Sequence, residues 1–344
     1  MLHDQQLRRH FIFSSSVSSL YKTISMPIIA YHASHEQFSP SDLLKWSILA
    51  EQSGFQAINS SDHFHPWSER QGQSGFSWSW LGAAMQATRL PFGVVCAPGQ
   101  RYHPAIIAQA GATLAQMFPQ RLWISLGTGE ALNERITGEK WPDKPERNER
   151  LKECVTIIKK LWDGETVTHK GLVTIEQAKL YTRAATKPLL LIAALSPETA
   201  AWAAPWADGL ITAHAEHTVM KEIIQAFRKS GGENKPVYLK AQLSYDETDE
   251  AAYQGAYDQW RTNVFSGTVL GDLWKVEQFD ALGEMVTEEL LRQKIRISND
   301  INQHIEWIRQ DLTLGFEKIV LHNVNRNQER FIRDFGKSVL PVFK

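Results

Sequence analysis

Eight times between residues 26 and 336, a short apolar, β-branched run is followed by a stretch with helical periodicity. The strand-like runs read as 26–34, 55–62, 92–98, 121–129, 187–195, 208–215, 236–246 and 318–324. The helical stretches read as 39–54, 77–88, 103–118, 148–164, 197–207, 218–231, 301–315 and 327–336. A strand that is followed each time by a helix must cross over and pair in parallel with its neighbours. Eight such units close into a (β/α)8 TIM barrel, an α/β fold whose usual length suits a chain of 344 residues as one domain. The alternation is interrupted after strands four and seven. The segment "GETVTHKGLVTIEQAKLYT" (164–182) predicts a hairpin, and 262–300 reads as a long irregular excursion of the kind that serves as a lid or an interface. Met26 opens the first clear strand, so residues 26–344 are expected to form the barrel. Residues 1–25 read as a disordered or mis-annotated extension.

Composition narrows the function classes. Lys plus Arg (37) nearly balances Asp plus Glu (38), which gives no electrostatic case for nucleic acid or an anionic membrane. No apolar run approaches the ~20 residues of a membrane span. Cys96 and Cys154 lack any CxxC spacing, which fits a reducing, cytoplasmic setting rather than a disulfide framework or structural zinc. The twelve tryptophans serve a large core, or a pocket for a flat aromatic ligand.

Barrel enzymes build their sites from the loops at the carboxyl ends of the strands. Strand two ends in Asp62-His63-Phe64-His65-Pro66-Trp67, strand three in Ala97-Pro98-Gly99-Gln100-Arg101-Tyr102, and strand four in Gly127-Thr128-Gly129-Glu130-Ala131-Leu132-Asn133. Strand five ends in Ser196-Pro197-Glu198-Thr199, strand six near His214, and strand eight carries His322. His63 and His65 share a face if extended, as in metal-dependent hydrolase barrels. The further ligands of that plan are missing from strands four, five and eight, so no metal-ligating residue is assigned. A histidine near a carboxylate moves protons at neutral pH, which makes His63 and Glu130 an acid–base candidate pair. A hydrogen-bonded rim histidine and a solvated first-turn acid are the plain alternatives. Gly127 and Gly129 let the backbone approach a flat ligand. Ser196 and Pro197 read as the N-cap and first residue of a helix whose free N–H groups suit a phosphate.

The stretches "SDHFHPW", "RYHPAIIAQAGATLAQMFPQRLWISLGTGEALNE", "RLKECVTIIKKLWDGE" and "GFEKIVLHN" resemble the bacterial-luciferase-like flavin and deazaflavin oxidoreductases, near the F420-dependent sugar-phosphate dehydrogenases. The resemblance spans about residues 26–344. It implies a (β/α)8 barrel, a homodimer, and an isoalloxazine-type ring at the carboxyl rim. It gives Asp62 as the ring-contacting acid, His63 as the acid–base histidine, Trp67 as the active-site tryptophan and Glu130 as the second proton-transfer group. Thr128, Gly129 and Asn133 match the cofactor loop, with Ala97 beside them at the end of strand three. Ser196 and Pro197 fall at the phosphate-contacting turn, and Val94–Val95 at a position that often holds a non-proline cis peptide under the ring. The sugar-phosphate enzymes carry a Thr and a Lys after strand six, where this chain has Ala213 and Glu216. A further phosphate Lys falls at Glu277, with Lys275 near. Glutamates there repel a phosphate dianion, so glucose 6-phosphate is not the expected substrate. The segments "YHASHEQF", "QGQSGF", "PGQRYHPA" and "EKWPDK" resemble a sister branch thought to use FMN. The expectation is therefore an FMN-dependent oxidoreductase acting on a small organic molecule, with a separate flavin reductase as the partner that such chemistry can draw on. An F420-dependent alcohol or sugar dehydrogenase is the alternative; a metal-dependent hydrolase and a flavin-binding barrel with little catalysis are the remaining two.

Overall fold

The computed structural model describes residues 26–344; the expectation for residues 1–25 lies outside the described residues. Strands β1 (Ile28–Ala33), β2 (Ala57–Ser61), β3 (Phe92–Cys96) and β4 (Leu122–Leu126) pair in order. They continue through β5 (Leu189–Ala193), β6 (Gly209–Ala213), β7 (Val237–Ser244) and β8 (Lys318–Asn323). All pairs are parallel, and β8 returns to β1 in the register Ile28↔Lys318 to Tyr31↔Leu321. The barrel is closed, which leaves it no free edge. The crossover helices are α1 (Pro40–Gln52), α2 (Ser77–Ala87), α3 (Pro104–Met117), α4 (Lys144–Asp163), α5 (Pro197–Ala203), α6 (His217–Phe227) and α7 (Ile301–Leu312), and α8 (Gln328–Ser338) follows the last strand.

Local chemistry starts and stops these helices. Ser39 and Asp143 accept from the N–H groups of Asp42 and Glu146, each followed by a proline in the first turn. Gly164 ends α4 at φ +86°, a left-handed C-cap. Beyond it Val167–Lys170 and Thr174–Ala178 form the predicted antiparallel hairpin. The excursion after β7 is more regular than its sequence suggests. It holds the helices Gly267–Asp272, Val276–Gly283 and Glu288–Lys294, and the helix Asp249–Trp260 leads into it. Thr248, Ser266 and Thr287 cap three of these four helices through side-chain oxygens. A two-residue strand, Arg296–Ile297, then pairs on β7.

Three apolar layers result. The largest lies between sheet and helices, and a second, with Trp67, Trp260 and Phe279, lies under the excursion. The barrel interior holds Ala30, Ala57, Trp123, Leu191, Ile211, Tyr238 and Val320. Gly93 is required there: a Cβ on it would sit 2.0 Å from the Trp123 ring. Lys318 closes the amino-terminal end, its Nζ 3.5 Å from the Trp123 ring centroid and 4.5 Å from that of Tyr238. Burial pulls its ammonium down to about 7, against the nearby charge of Glu317. No described helix is long and apolar enough to cross a membrane.

Candidate active site

The rim sequence folds as a loop pinned by one side chain. Asn133 Oδ1 accepts from the N–H groups of Phe64 (2.8 Å) and His65 (3.1 Å). The His65 ring turns to the Leu132 carbonyl through Nδ1 at 2.9 Å. His63 goes the other way, into the barrel mouth, so the two histidines diverge. Among the described residues no group of three or more His, Cys, Asp and Glu side chains is arranged to hold a metal ion.

His63 stands between two carboxyls. Its Nδ1 lies 3.4 Å from Glu36 Oε1, and its Nε2 lies 3.8 Å from Glu130 Oε2. Glu36 follows β1 and is almost wholly buried; its Oε2 accepts from the hydroxyls of Ser34 (2.9 Å) and Ser61 (2.8 Å). Burial alone would raise the Glu36 carboxyl. His63, Lys240 and the Ser61 hydroxyl outweigh it and hold the group down at about 2. Glu130 precedes the short helix Ala131–Glu134 and has no such partners beyond Asn133 Nδ2 at 3.4 Å. Burial, then repulsion from Glu36 and Glu134, pushes it up to about 8. A third of its side chain is open at the rim, where water relieves part of that push. His63 is pulled down to about 4, by burial first, with Arg101 and Lys240 adding to it and Glu36 opposing. The arrangement sets an ionised Glu36 and an imidazole held below its usual range beside a Glu130 carboxyl pushed above its own. Trp67 packs its ring edge-on to His63, with centroids 5.0 Å apart, and its other side meets Phe279 of the excursion at 5.2 Å.

A second polar group sits beside the first. The Asp62 carboxyl is fully enclosed; Tyr102 OH donates to it at 3.2 Å, and Arg101 Nη2 lies 3.4 Å away. Arg101 also donates through Nη2 to the Asp62 carbonyl (2.8 Å) and through its backbone N–H to Glu134 Oε2 (2.8 Å). Burial moves the Asp62 carboxyl up to about 6 despite Arg101. In the GTGE turn Gly129 adopts φ +80°, and a Cβ there would meet Glu134 Cγ at 2.8 Å. A Cβ on Gly127 would meet nothing nearer than 4.0 Å, so this turn presents an open, flat face. Thr128 is held through Oγ1 by Lys144 Nζ at 2.7 Å. Such a face, with a buried acid–arginine pair next to it, fits a planar heterocycle with a polar edge.

Several sequence expectations change. The described peptide bonds are all trans, so Val94–Val95 is not a cis bulge. β3 pairs regularly on both sides there, Val94 with Ser60 and Ile124. Val94 belongs to the outer core, and only Val95 and Ala97 remain near the rim. Ser196 Oγ caps α5 by accepting from Thr199 N–H (3.3 Å), and Pro197 is its first residue. Glu36 and Lys240 are positions beside His63 that rim reading passed over, and Arg101, which it collected, was given no role there. Glu36 carried a legible signal, an acid three residues past strand one.

A cavity of about 380 Å³ opens beyond β6, lined by His214, Glu216, Arg292, Arg296 and Trp307 among others. Its cations are engaged: Arg296 is bidentate to Asp311 (2.6 and 2.8 Å), and Arg292 holds Asp249 and Glu288. Burial pulls His214 down to about 3, so it adds no charge at neutral pH.

The structure is thus a closed parallel barrel with a histidine set between two carboxyls and an open flat face on its carboxyl rim. The chain belongs to the luciferase-like monooxygenase family, whose model matches residues 24–318. It is 34% identical over 327 residues to an F420-dependent glucose-6-phosphate dehydrogenase of Microbacterium testaceum, covering 90% of this chain and 96% of that one. A second such enzyme, of Nakamurella multipartita, is 34% identical over 322 residues, covering 90% and 95%. Among solved structures, an F420-dependent secondary alcohol dehydrogenase bound to an F420–acetone adduct superposes with a TM-score of 0.86. It is 28% identical, covering 93% of this chain and all of that one.

Proposed function

We propose that this protein is an F420-dependent dehydrogenase that oxidises a hydroxyl-bearing carbon of a small organic substrate. The observation that carries the reading is the placement of His63 at the barrel mouth between two carboxyls, Glu36 at 3.4 Å from Nδ1 and Glu130 at 3.8 Å from Nε2. His63 is pulled down to about 4 and Glu130 pushed up to about 8. Two titratable groups pushed in opposite directions assign their own roles. The sequence alone favours FMN. The relatives and the 28%-identical structure are F420 enzymes by their names, and this moves the proposal to the deazaflavin.

A bound deazaflavin would supply the two-electron acceptor. Asp62 and Arg101 would hold its polar edge, and Val95, Ala97, Thr128 and Gly129 its flank, while Asn133 keeps the His63 loop in place. Ser196 and Pro197 open α5 on the same rim, where a phosphate of the cofactor would lie against the start of that helix. His63 Nε2 takes the substrate's hydroxyl proton. Glu36 orients the ring through Nδ1 and stabilises the imidazolium as it forms. Glu130 holds the second proton at Oε2, and Trp67 walls the site against water.

The substrate is not expected to be a phosphate ester. Glu216 lines the cavity beyond β6, and both arginines there are already neutralised by carboxylates. The test is a titration of purified protein with F420 and with FMN, followed by turnover on secondary alcohols, free sugars and glucose 6-phosphate. F420 binding with alcohol or sugar oxidation supports the reading; tight FMN binding with no F420 binding overturns it, and robust glucose 6-phosphate turnover overturns the substrate assignment. A homodimer belongs to the same proposal. α3 leaves Ile106 and Met117 half-exposed on its outer face, and light scattering that shows a monomer at micromolar concentration would count against a pairing there.

A further inference from the structure

We propose that Lys240 is a positioning residue of the acid–base cluster: its ammonium, standing in the upper lumen without a fixed partner, sets where the cluster's proton rests. The inference builds on the assignment of His63 and Glu130 as that cluster. Alternation along β7 points Tyr238 into the barrel, where it joins the interior layer, so Lys240 two residues on points inward as well. Its register partners are Ala213 on β6 and Val320 on β8, short side chains that leave the lysine stem free to run toward the rim. Among the described residues Nζ takes part in no side-chain hydrogen bond and no ion pair. Its one directed contact is the Trp260 ring, with the centroid 5.9 Å away.

Five segments around it present titratable groups. His32 comes from β1, Glu36 from the loop after β1, His63 from the end of β2, Glu130 from the end of β4 and His322 from β8. The field of Lys240 acts on all five. Arg101 adds a second cation that reaches His63. His32 and His322 stack at 4.3 Å and are tied to Asn59 and Gln37, so they form a neutral floor rather than a counter-charge. Glu36 is the ionised neighbour. An ammonium carried half-buried with no bonded partner costs free energy, and here its field does three things at once. It favours ionised Glu36, disfavours protonated His63, and limits how far Glu130 rises.

The signs follow from one rule: deleting a positive charge makes protons easier to hold everywhere nearby. Lys240→Met should raise the His63 midpoint by on the order of one unit, the size of effect that a nearby unit charge exerts in a partly solvated site. Lys240→Arg keeps the charge and should leave the midpoint in place. The decisive measurement needs no cofactor. The histidine ring signals of the apo protein are titrated by NMR in wild type, Lys240→Met and Lys240→Arg, with His63 assigned through its loss in His63→Gln. Thermal melts check that each variant folds, and Lys240→Gln stands in for the Met variant if that one does not. A raised midpoint in the Met (or Gln) variant, restored in the Arg variant, supports the assignment. An unmoved midpoint overturns it, and so does an equal shift in the Met and Arg variants, because packing rather than charge would then be responsible. If no alcohol is oxidised with F420, the functional reading fails while the titration still decides this one. Where turnover is found, both limbs of the pH–rate profile should move upward in Lys240→Met.

Discussion

The most informative single substitution is Glu36→Gln, which removes a charge and keeps the shape. In wild type, Oε1 lies 3.4 Å from His63 Nδ1. At that distance and an effective dielectric of ~20, an ion pair formed when His63 takes a proton is worth about 5 kcal/mol. The His63 side chain is 15% exposed, so solvent screening reduces the usable part to about 3–4 kcal/mol. Because the imidazolium exists only as the proton is transferred, this loss falls on kcat and amounts to about 10²–10³-fold. The amide still accepts from Ser34 and Ser61, so the loop should keep its fold and cofactor affinity should change little. A second signature separates charge from shape. Glu36 helps to push Glu130 up to about 8, so the variant's basic limb should move below that value. The assay is steady-state turnover against pH with the cofactor that the titration identifies, alongside a direct cofactor binding curve. Near-wild-type kcat with an unmoved basic limb would refute the reasoning. A large loss confined to cofactor binding would relocate Glu36 to a purely structural role.

The remaining expectations can be tested together. The wild-type kcat/KM for hydroxyl oxidation should rise with pH through about 4 as His63 loses its proton, and fall through about 8 as Glu130 loses its own; a profile that climbs steadily beyond that upper limb would contradict the acid role of Glu130. His63→Ala should cost about 10²–10⁴-fold in turnover with cofactor affinity nearly unchanged, whereas His65→Ala, which loses only a loop contact to the Leu132 carbonyl, should stay within a few-fold of wild type. Lys318 has a folded-state value pulled down to about 7 against 10.5 ordinarily, so the unfolded chain binds the extra proton between those values and wild-type stability gains from this group as pH rises across the window. Lys318→Met should raise Tm at pH 7 by an amount that shrinks toward pH 10; an equal difference at both pH values would show that the packing of Trp123 and Tyr238, not the charge, is at stake.

Strands, helices and their order were legible because they rest on local facts. The β-branched runs, the Ser39 and Asp143 caps and the Gly164 stop act within a few residues of themselves, and seven consecutive crossovers admit essentially one closed topology. His63, Glu130 and Asp62 were legible for a related reason: they sit at strand ends, and the fold sends strand ends to the site. The helices of the excursion were not, since short capped turns lack the periodicity that marks a longer helix. Ser196 had two readings from sequence, cap or ligand contact, and the structure shows its Oγ at work as the cap.

What the chain alone determined is the barrel and the residues on its rim. The tertiary structure decided which of them come together. Glu36 meets His63 across 27 positions of sequence, a separation that follows from the register of β1 against β2. Lys240 reaches the same cluster from the far side of the barrel, and no local pattern could announce it. A strand of a parallel sheet is buried on both faces, so alternation fixes that Tyr238, Lys240 and Gln242 share a side without saying which side is the lumen. Closure of the sheet makes that choice, and with it places an ammonium where it governs the charge of two carboxyls and a histidine.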